Sequence, residues 1–140
     1  MPTLYLIRGL PGSGKSTIGR AICGDESFAA DDWFDLKAKN EGKTYEEVFN
    51  PTDLPEAHQY CQDCVVATMS TGVDLAVCNT FSQRWEAEPY FKLVVAFGYY
   101  VQIIECQSSF VNIHGVPEEA IQAMRDRWEP LTKFHDAPVF

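Results

Sequence analysis

The chain has 140 residues, the length of one ordinary domain, and 46% of them are hydrophobic, enough for a continuous core and too many for a disordered tail. Its formal charge of −9 argues against binding nucleic acid over the whole surface, while leaving room for a local basic patch. No apolar run approaches the roughly 20 residues of a membrane span, and the N-terminus has no basic stretch followed by a long apolar one, so no membrane partner is expected and the cytoplasm is the expected compartment.

Apolar runs then alternate with helical patterns. "TLYLIR" (3–8) predicts a buried strand and "KSTIGRAIC" (15–23) a helix that Gly24 stops. "SFAA" (27–30) predicts a short strand ending at Asp31 and Asp32. Residues 53–72 carry apolar positions at Leu54, Ala57, Cys61, Cys64, Val65 and Met69, a helical stripe closed by Gly72. "DLAVC" (74–78) predicts a strand, 83–98 a helix kinked or begun at Pro89, and "YVQIIEC" (100–106) another strand. Residues 117–129 predict a last helix, with proline and glutamates at its start and arginines near its end. Such alternation implies an α/β fold: a parallel sheet of about four to five strands, with helices on both faces, in one domain over 1–140. Ligands in such folds sit at the carboxyl ends of the strands. Three polar clusters fall there: Gly9–Ser16, Asp31–Asp32 and Asn79–Thr80.

The first cluster is the most specific. "GLPGSGKS", Gly9 to Ser16, fills every fixed position of G-x-x-x-x-G-K-[ST] between a predicted strand and a predicted helix. Glycines let backbone amides turn toward a polyphosphate, and the helix N-terminus adds its dipole. Gly9, Leu10, Pro11, Gly12, Ser13, Gly14, Lys15, Ser16 and Thr17 therefore form a nucleotide cradle: Lys15 reaches the β- and γ-phosphates, and Ser16 ligates Mg²⁺. Kinases, GTPases, motors and switches share such a cradle. No guanine-reading N-K-x-D segment is present, and a small ATP-dependent kinase is the economical reading.

Transfer to a hydroxyl needs a carboxylate to take its proton, and Asp31 is the candidate base; Asp32 faces the acceptor or caps the next helix. Downstream, Trp33, Phe34, Tyr45 and Phe49 are interleaved with Lys37, Lys39 and Lys43. This is either a patch that stacks bases and meets phosphates or an ordinary amphipathic cover. Arg84, Arg125 and Arg127 are candidates to neutralise charge on the transferring group, with Arg20 on the cradle's own helix less suited. "CQDC" (61–64) has no second pair to complete a zinc site and shares a helix face with Val65, so it reads as core packing; the five cysteines read as free thiols.

Taken in order, "LYLIRGLPGSGKST", "DDWF", "NPTDLPEAHQYCQ", "NTFSQRWEAEPY" and "NIHGVPEEAIQAMRDRWE" resemble the small polynucleotide-kinase-type P-loop kinases over nearly the whole chain. Within that group, "NTF" followed by "WEAEPY" is most similar to bacteriophage 5-hydroxymethyluracil DNA kinases. The resemblance implies a P-loop kinase fold, ATP and Mg²⁺ as cofactors bound through Lys15 and Ser16, Asp31 as base, and Asn79 and Thr80 lining the acceptor site; with Cys78 in place of the relatives' acid, Mg²⁺ is expected to depend on Ser16, Asp31 and waters. It implies DNA containing a modified pyrimidine as the partner. His58 and His114 lie in matched segments, each facing either substrate or structure. The chain departs from the group in two places. Cys78 stands where many relatives carry the acid of "DNTN", and Val111 where many carry an arginine. The remaining readings are a 5′-hydroxyl polynucleotide kinase, a small-metabolite kinase and a nucleotide-bound switch or adaptor.

Overall fold

The computed structural model describes residues 1–107 and 115–131. Four strands form one parallel sheet: β1 (Thr3–Gly9), β2 (Ser27–Phe28), β3 (Leu75–Asn79) and β4 (Tyr100–Cys106), in the spatial order β2-β3-β1-β4. The helices are α1 (Lys15–Cys23), α2 (Asp31–Glu41), α3 (Tyr45–Val48), α4 (Leu54–Met69), α5 (Arg84–Phe97) and α6 (Glu118–Asp126). None among the described residues is long and apolar enough to cross a membrane.

Alternation along β1 divides the core. Leu4 and Leu6 point to a layer built from Cys61, Val65 and Met69 of α4 and Tyr90, Phe91 and Val94 of α5. Ile7 points to the opposite layer with Ala76 and Cys78 of β3, where α1 packs. Gly19 permits that approach: a Cβ there would meet Cys78 Sγ and Ser27 Oγ, both at 2.5 Å. A further cluster of Ala30, Phe34, Ala38, Val48 and Ala57 joins α2, α3 and α4 beside the sheet.

Strand β2 stops earlier than its apolar run predicts. The Ala29 amide donates to Asp32 Oδ2 at 2.9 Å, and the Ala30 amide donates to Asn79 Oδ1 at 2.9 Å. Side chains thus take the two donors that a continuing strand would present to a neighbour. The chain turns into α2, and Asp31 becomes its first residue.

Helices α2 and α3 lie where the sequence offers either a basic, aromatic ligand patch or an amphipathic cover. Gly42, at φ 66°, ends α2. Thr44 then begins α3 by a reciprocal cap: its Oγ1 accepts from the Glu47 amide at 3.2 Å, and Glu47 Oε1 accepts from the Thr44 amide at 3.0 Å. Helix α5 begins at Arg84, not at Pro89, because Gln83 and Glu86 form another such box; Pro89 is carried inside the helix.

Candidate active site

The cradle follows β1. A tight turn closes between the Leu10 carbonyl and the Ser13 amide at 3.1 Å. Gly12 and Gly14 then take φ values of 82° and 90°, a region that side-chain-bearing residues rarely occupy. No side chain caps α1, so its first amides face the loop without a protein acceptor of that kind. Ser13 Oγ is buried and has no hydrogen-bond partner. Glycine backbone, uncapped helix and unpartnered hydroxyl converge on one concave turn, and these fit a polyphosphate.

Lys15 folds back over this turn, its Nζ donating to the Leu10 carbonyl at 3.1 Å. Burial pushes its ammonium below the usual lysine value, while the Asp31 carboxylate and the nearby Cys106 and Cys78 work in the opposite direction. Lys15 follows the carboxyl end of β1 and Asp31 the carboxyl end of β2, at the same edge of one parallel sheet. Ser16, in the first turn of α1, exposes its hydroxyl there. Cys78, at the position of the relatives' acid, is buried beside Ser27 Oγ at 3.5 Å, and burial pushes its thiol up. It supplies no carboxylate for a metal.

On the acceptor side, Asp31 Oδ1 accepts a 2.6 Å hydrogen bond from the Tyr45 hydroxyl. Desolvation, chiefly, together with that contact, pushes the Tyr45 phenol far up, so it remains a donor. His58 on α4 is half-buried; burial pushes its imidazole down, while Glu86 and Asp31 act in the other direction.

Two expected substrate contacts need correction. Phe34 is fully buried, with Trp33 (4.9 Å between ring centroids), Tyr45 (5.7 Å) and Phe49 (4.9 Å) around its ring, so it offers no face to a base. Asn79 is buried with both polar atoms engaged: Oδ1 holds the Ala30 amide, and Nδ2 points to Cys61 Sγ at 3.9 Å. In this structure it holds the start of α2. Cys61 also accepts from the Tyr90 hydroxyl at 3.3 Å, deep in the core, as expected of a packing cysteine.

The remaining residues are dispersed around the carboxyl edge. Trp33 is half-buried, with Lys37 Nζ 5.3 Å from its ring centroid. Asp32 is spent on the Ala29 amide, which makes it a local turn-former at the helix start. Thr80 follows β3 directly and is partly exposed. Arg84 opens α5, its amide donating to Glu129 Oε1 at 3.0 Å. Arg127 Nε donates to Ser82 Oγ at 3.0 Å, which docks the end of α6 on the β3–α5 turn. Arg125 is directed along its own helix to Glu118 at 3.2 Å and Gln122 at 3.3 Å. His114 lies outside the described residues.

Arg8 was not singled out by its sequence, yet it anchors this edge. It is 1% exposed, one residue before the cradle. Its Nη2 donates to the Phe81 carbonyl at 2.6 Å, Nη1 reaches Glu105 at 3.3 Å, and its guanidinium carbon lies 4.0 Å from the Trp128 ring centroid. Burial pushes its guanidinium down, against Glu105, Glu86 and Glu129. Phe81 is the only non-glycine among the described residues at positive φ, 48°, a region that side chains rarely adopt. Its buried ring, edge-on to Tyr90 at 5.7 Å, and the Arg8 bond offset that strain. A charged residue inside the apolar run "LYLIRG" was the signal available.

Residues 4–131 match the AAA domain family. NEDD4-binding protein 2 from Homo sapiens is 29% identical over 150 aligned residues, covering 97% of this chain but only 8% of the human protein's length. A gluconokinase from Sinorhizobium meliloti 1021 superposes with a TM-score of 0.59 at 18% identity, over 94% of this chain and 78% of that one. A chain of the Pnkp1/Rnl/Hen1 complex superposes with a TM-score of 0.57 at 19% identity, over 87% and 38%. These superpositions speak to the fold. With the cradle, the parallel sheet and a match spanning most of its length, the chain belongs to the AAA domain family and has the P-loop kinase fold.

Proposed function

We propose that this chain transfers the γ-phosphate of ATP to a hydroxyl carried by nucleic acid, the acceptor being the hydroxymethyl group of 5-hydroxymethyluracil in DNA. The observation that carries the reading is the convergence of Lys15, on the phosphate cradle, and Asp31, at the start of α2, at the carboxyl end of one sheet. Bound ATP with Mg²⁺ supplies the electrophilic phosphoryl group. The cradle amides and Lys15 hold its phosphates, and the Ser16 hydroxyl, with Asp31 near it, would hold the metal. The Asp31 carboxylate orients the acceptor hydroxyl and takes its proton as the oxygen–phosphorus bond forms. Arg127, docked at Ser82, is better placed than Arg125 to meet charge at this edge.

Nucleic acid as the acceptor is supported by the polynucleotide-kinase-like segments of the sequence and by the fold likeness to a chain of the Pnkp1/Rnl/Hen1 RNA repair complex. With Phe34 and Asn79 occupied internally, Trp33 and Thr80 are the side chains left to meet an unstacked base. Lys37 pairs with Asp53 at 3.5 Å and Lys43 with Glu41 at 3.6 Å. Such partly exposed pairs are worth about 0–1 kcal/mol and exchange readily for DNA phosphates. The polynucleotide-kinase-like segments of the sequence favour, as a second reading, transfer to 5′-hydroxyl strand ends.

The test offers γ-labelled ATP to DNA with and without 5-hydroxymethyluracil, then digests it to nucleosides. Label on the internal modified nucleoside is the expected result. Label confined to strand ends, equal on both DNAs, would replace the acceptor with the strand end. Absence of label on either DNA, with label passing to gluconate or another sugar, would overturn the nucleic-acid reading.

A further inference from the structure

The hydroxyl of Tyr45 has no part in the phosphate cradle, and its ring was expected at most to stack a base. The structure gives it a different task. Gly42 turns the chain out of α2, and the Thr44–Glu47 cap starts α3 at Tyr45, fourteen residues beyond Asp31. The Tyr45 ring is held on two sides. It stacks on Phe49 at 5.6 Å with 16° between planes, and it meets Phe34 edge-on at 5.7 Å. This packing directs the hydroxyl, which ends on Asp31 Oδ1 at 2.6 Å.

We propose that Tyr45 is the positioning residue of the phosphotransfer: its hydroxyl, fixed by the Phe34–Phe49 packing, holds the Asp31 carboxylate in the one orientation that presents Oδ2 to the acceptor hydroxyl. The proposal rests on the reading of Asp31 as the base. In the step itself the acceptor oxygen bonds to the γ-phosphorus, the bond from that phosphorus to the β–γ bridging oxygen breaks, ADP leaves with that electron pair, and the acceptor's proton passes to Asp31 Oδ2. Tyr45 donates to Oδ1 throughout and is unchanged. The Tyr45 bond restrains the χ1 and χ2 rotation of that carboxylate, and small errors of placement in such a base cost up to about a hundredfold in rate. The α2–α3–α4 cluster thereby becomes part of the catalytic geometry, although none of its buried apolar residues touches substrate.

The experiment compares steady-state transfer by wild type, Tyr45→Phe, Asp31→Asn and the double variant, using the nucleic-acid acceptor that the wild type labels. Tyr45→Phe keeps the ring and removes only the donor. Its kcat should fall about ten- to a hundredfold with the KM for ATP unchanged. In the Asp31→Asn background the same substitution should cost nothing further, since the group it orients is gone. Val48→Ala, which thins the same packing without touching the pair, serves as the control for a loss of fold and should retain far more turnover than Tyr45→Phe. Asp31→Asn at wild-type turnover would refute the base itself. Asp31→Asn crippled with Tyr45→Phe at wild-type turnover would overturn the positioning role alone. Losses that multiply in the double variant, or equal losses in Tyr45→Phe and Val48→Ala, would also overturn it. So would phosphate found on Tyr45 of the wild type after incubation with ATP, because the hydroxyl would then be an acceptor and not a holder.

Discussion

The carboxamide of Asn79, the last residue of β3, holds the backbone amide of Ala30 at 2.9 Å, and through it sets where α2 and Asp31 begin. Both groups are buried, so removing the acceptor strands a donor away from water. Asn79→Ala should lower stability by about 1–3 kcal/mol, read from the urea midpoint. Phosphotransfer should fall further than ATP binding, since the cradle is untouched. A midpoint equal to wild type would show that the bond has no structural weight.

Arg8 and Trp128 tie the region after α6 to the strand before the cradle, with the guanidinium carbon 4.0 Å from the ring centroid. Arg8→Met keeps much of the volume and loses the bonds to Phe81 and Glu105. The Phe81 carbonyl is then left without that donor at a backbone conformation already under strain. A loss of about 2–3 kcal/mol is expected, discounted because Glu105 is partly exposed. Retention of wild-type stability in urea unfolding would contradict this account of the Arg8 site.

Asp32 carries a pH dependence whose sign is fixed by its surroundings. Burial pushes its carboxyl up, the Ala29 amide opposes this, and Asp35 and Asp31 reinforce it. An acid raised on folding favours the folded state most below its unfolded value, and that contribution is lost as pH rises through the folded value. Asp32→Asn keeps an acceptor for Ala29 and removes the buried charge. Its stability relative to wild type should therefore improve on going from about pH 3 to neutral pH. Unfolding midpoints at the two pH values test this, and a relative stability that falls would reverse the assignment.

Cys61 should be the slowest of the cysteines to alkylate in the native protein. Burial pushes its thiol up to about 12, while Tyr90 and Asn79 act weakly against this. The reactive thiolate is then about a thousandfold scarcer than for an ordinary thiol at the same pH. Timed labelling with iodoacetamide, read by peptide mass spectrometry, provides the check. Early labelling of Cys61 would mean that α4 opens locally, or that the core around Tyr90 is not closed.

Much of the scaffold was legible in local pattern. The stretches 15–23 and 100–106 coincide with α1 and β4, because an apolar rhythm and a terminal glycine are properties of adjacent residues. The cradle was legible for the same reason. The acceptor side was not. Strand β2 ends after Phe28 because Asn79, from a distant strand, takes the Ala30 amide, and no window around residue 30 contains that fact. Phe34 and Tyr45 look alike in sequence, yet one is wholly internal and the other ends on a carboxylate. Helix α3 did have a local signal, the T-x-x-E spacing of Thr44 and Glu47, hidden within a segment whose lysines and aromatics drew attention to ligand contact.

The central claim is that Lys15 and Asp31 act on one phosphoryl group, the first as a fixed cation and the second as the proton acceptor. Single-turnover transfer from γ-labelled ATP to the nucleic-acid acceptor, measured beside nucleotide binding for Asp31→Asn and Lys15→Ala, tests it most directly. Asp31→Asn should bind ATP as the wild type does and lose about two to four orders of magnitude in transfer, whereas Lys15→Ala should nearly abolish transfer. Near-normal transfer by either variant would contradict the account.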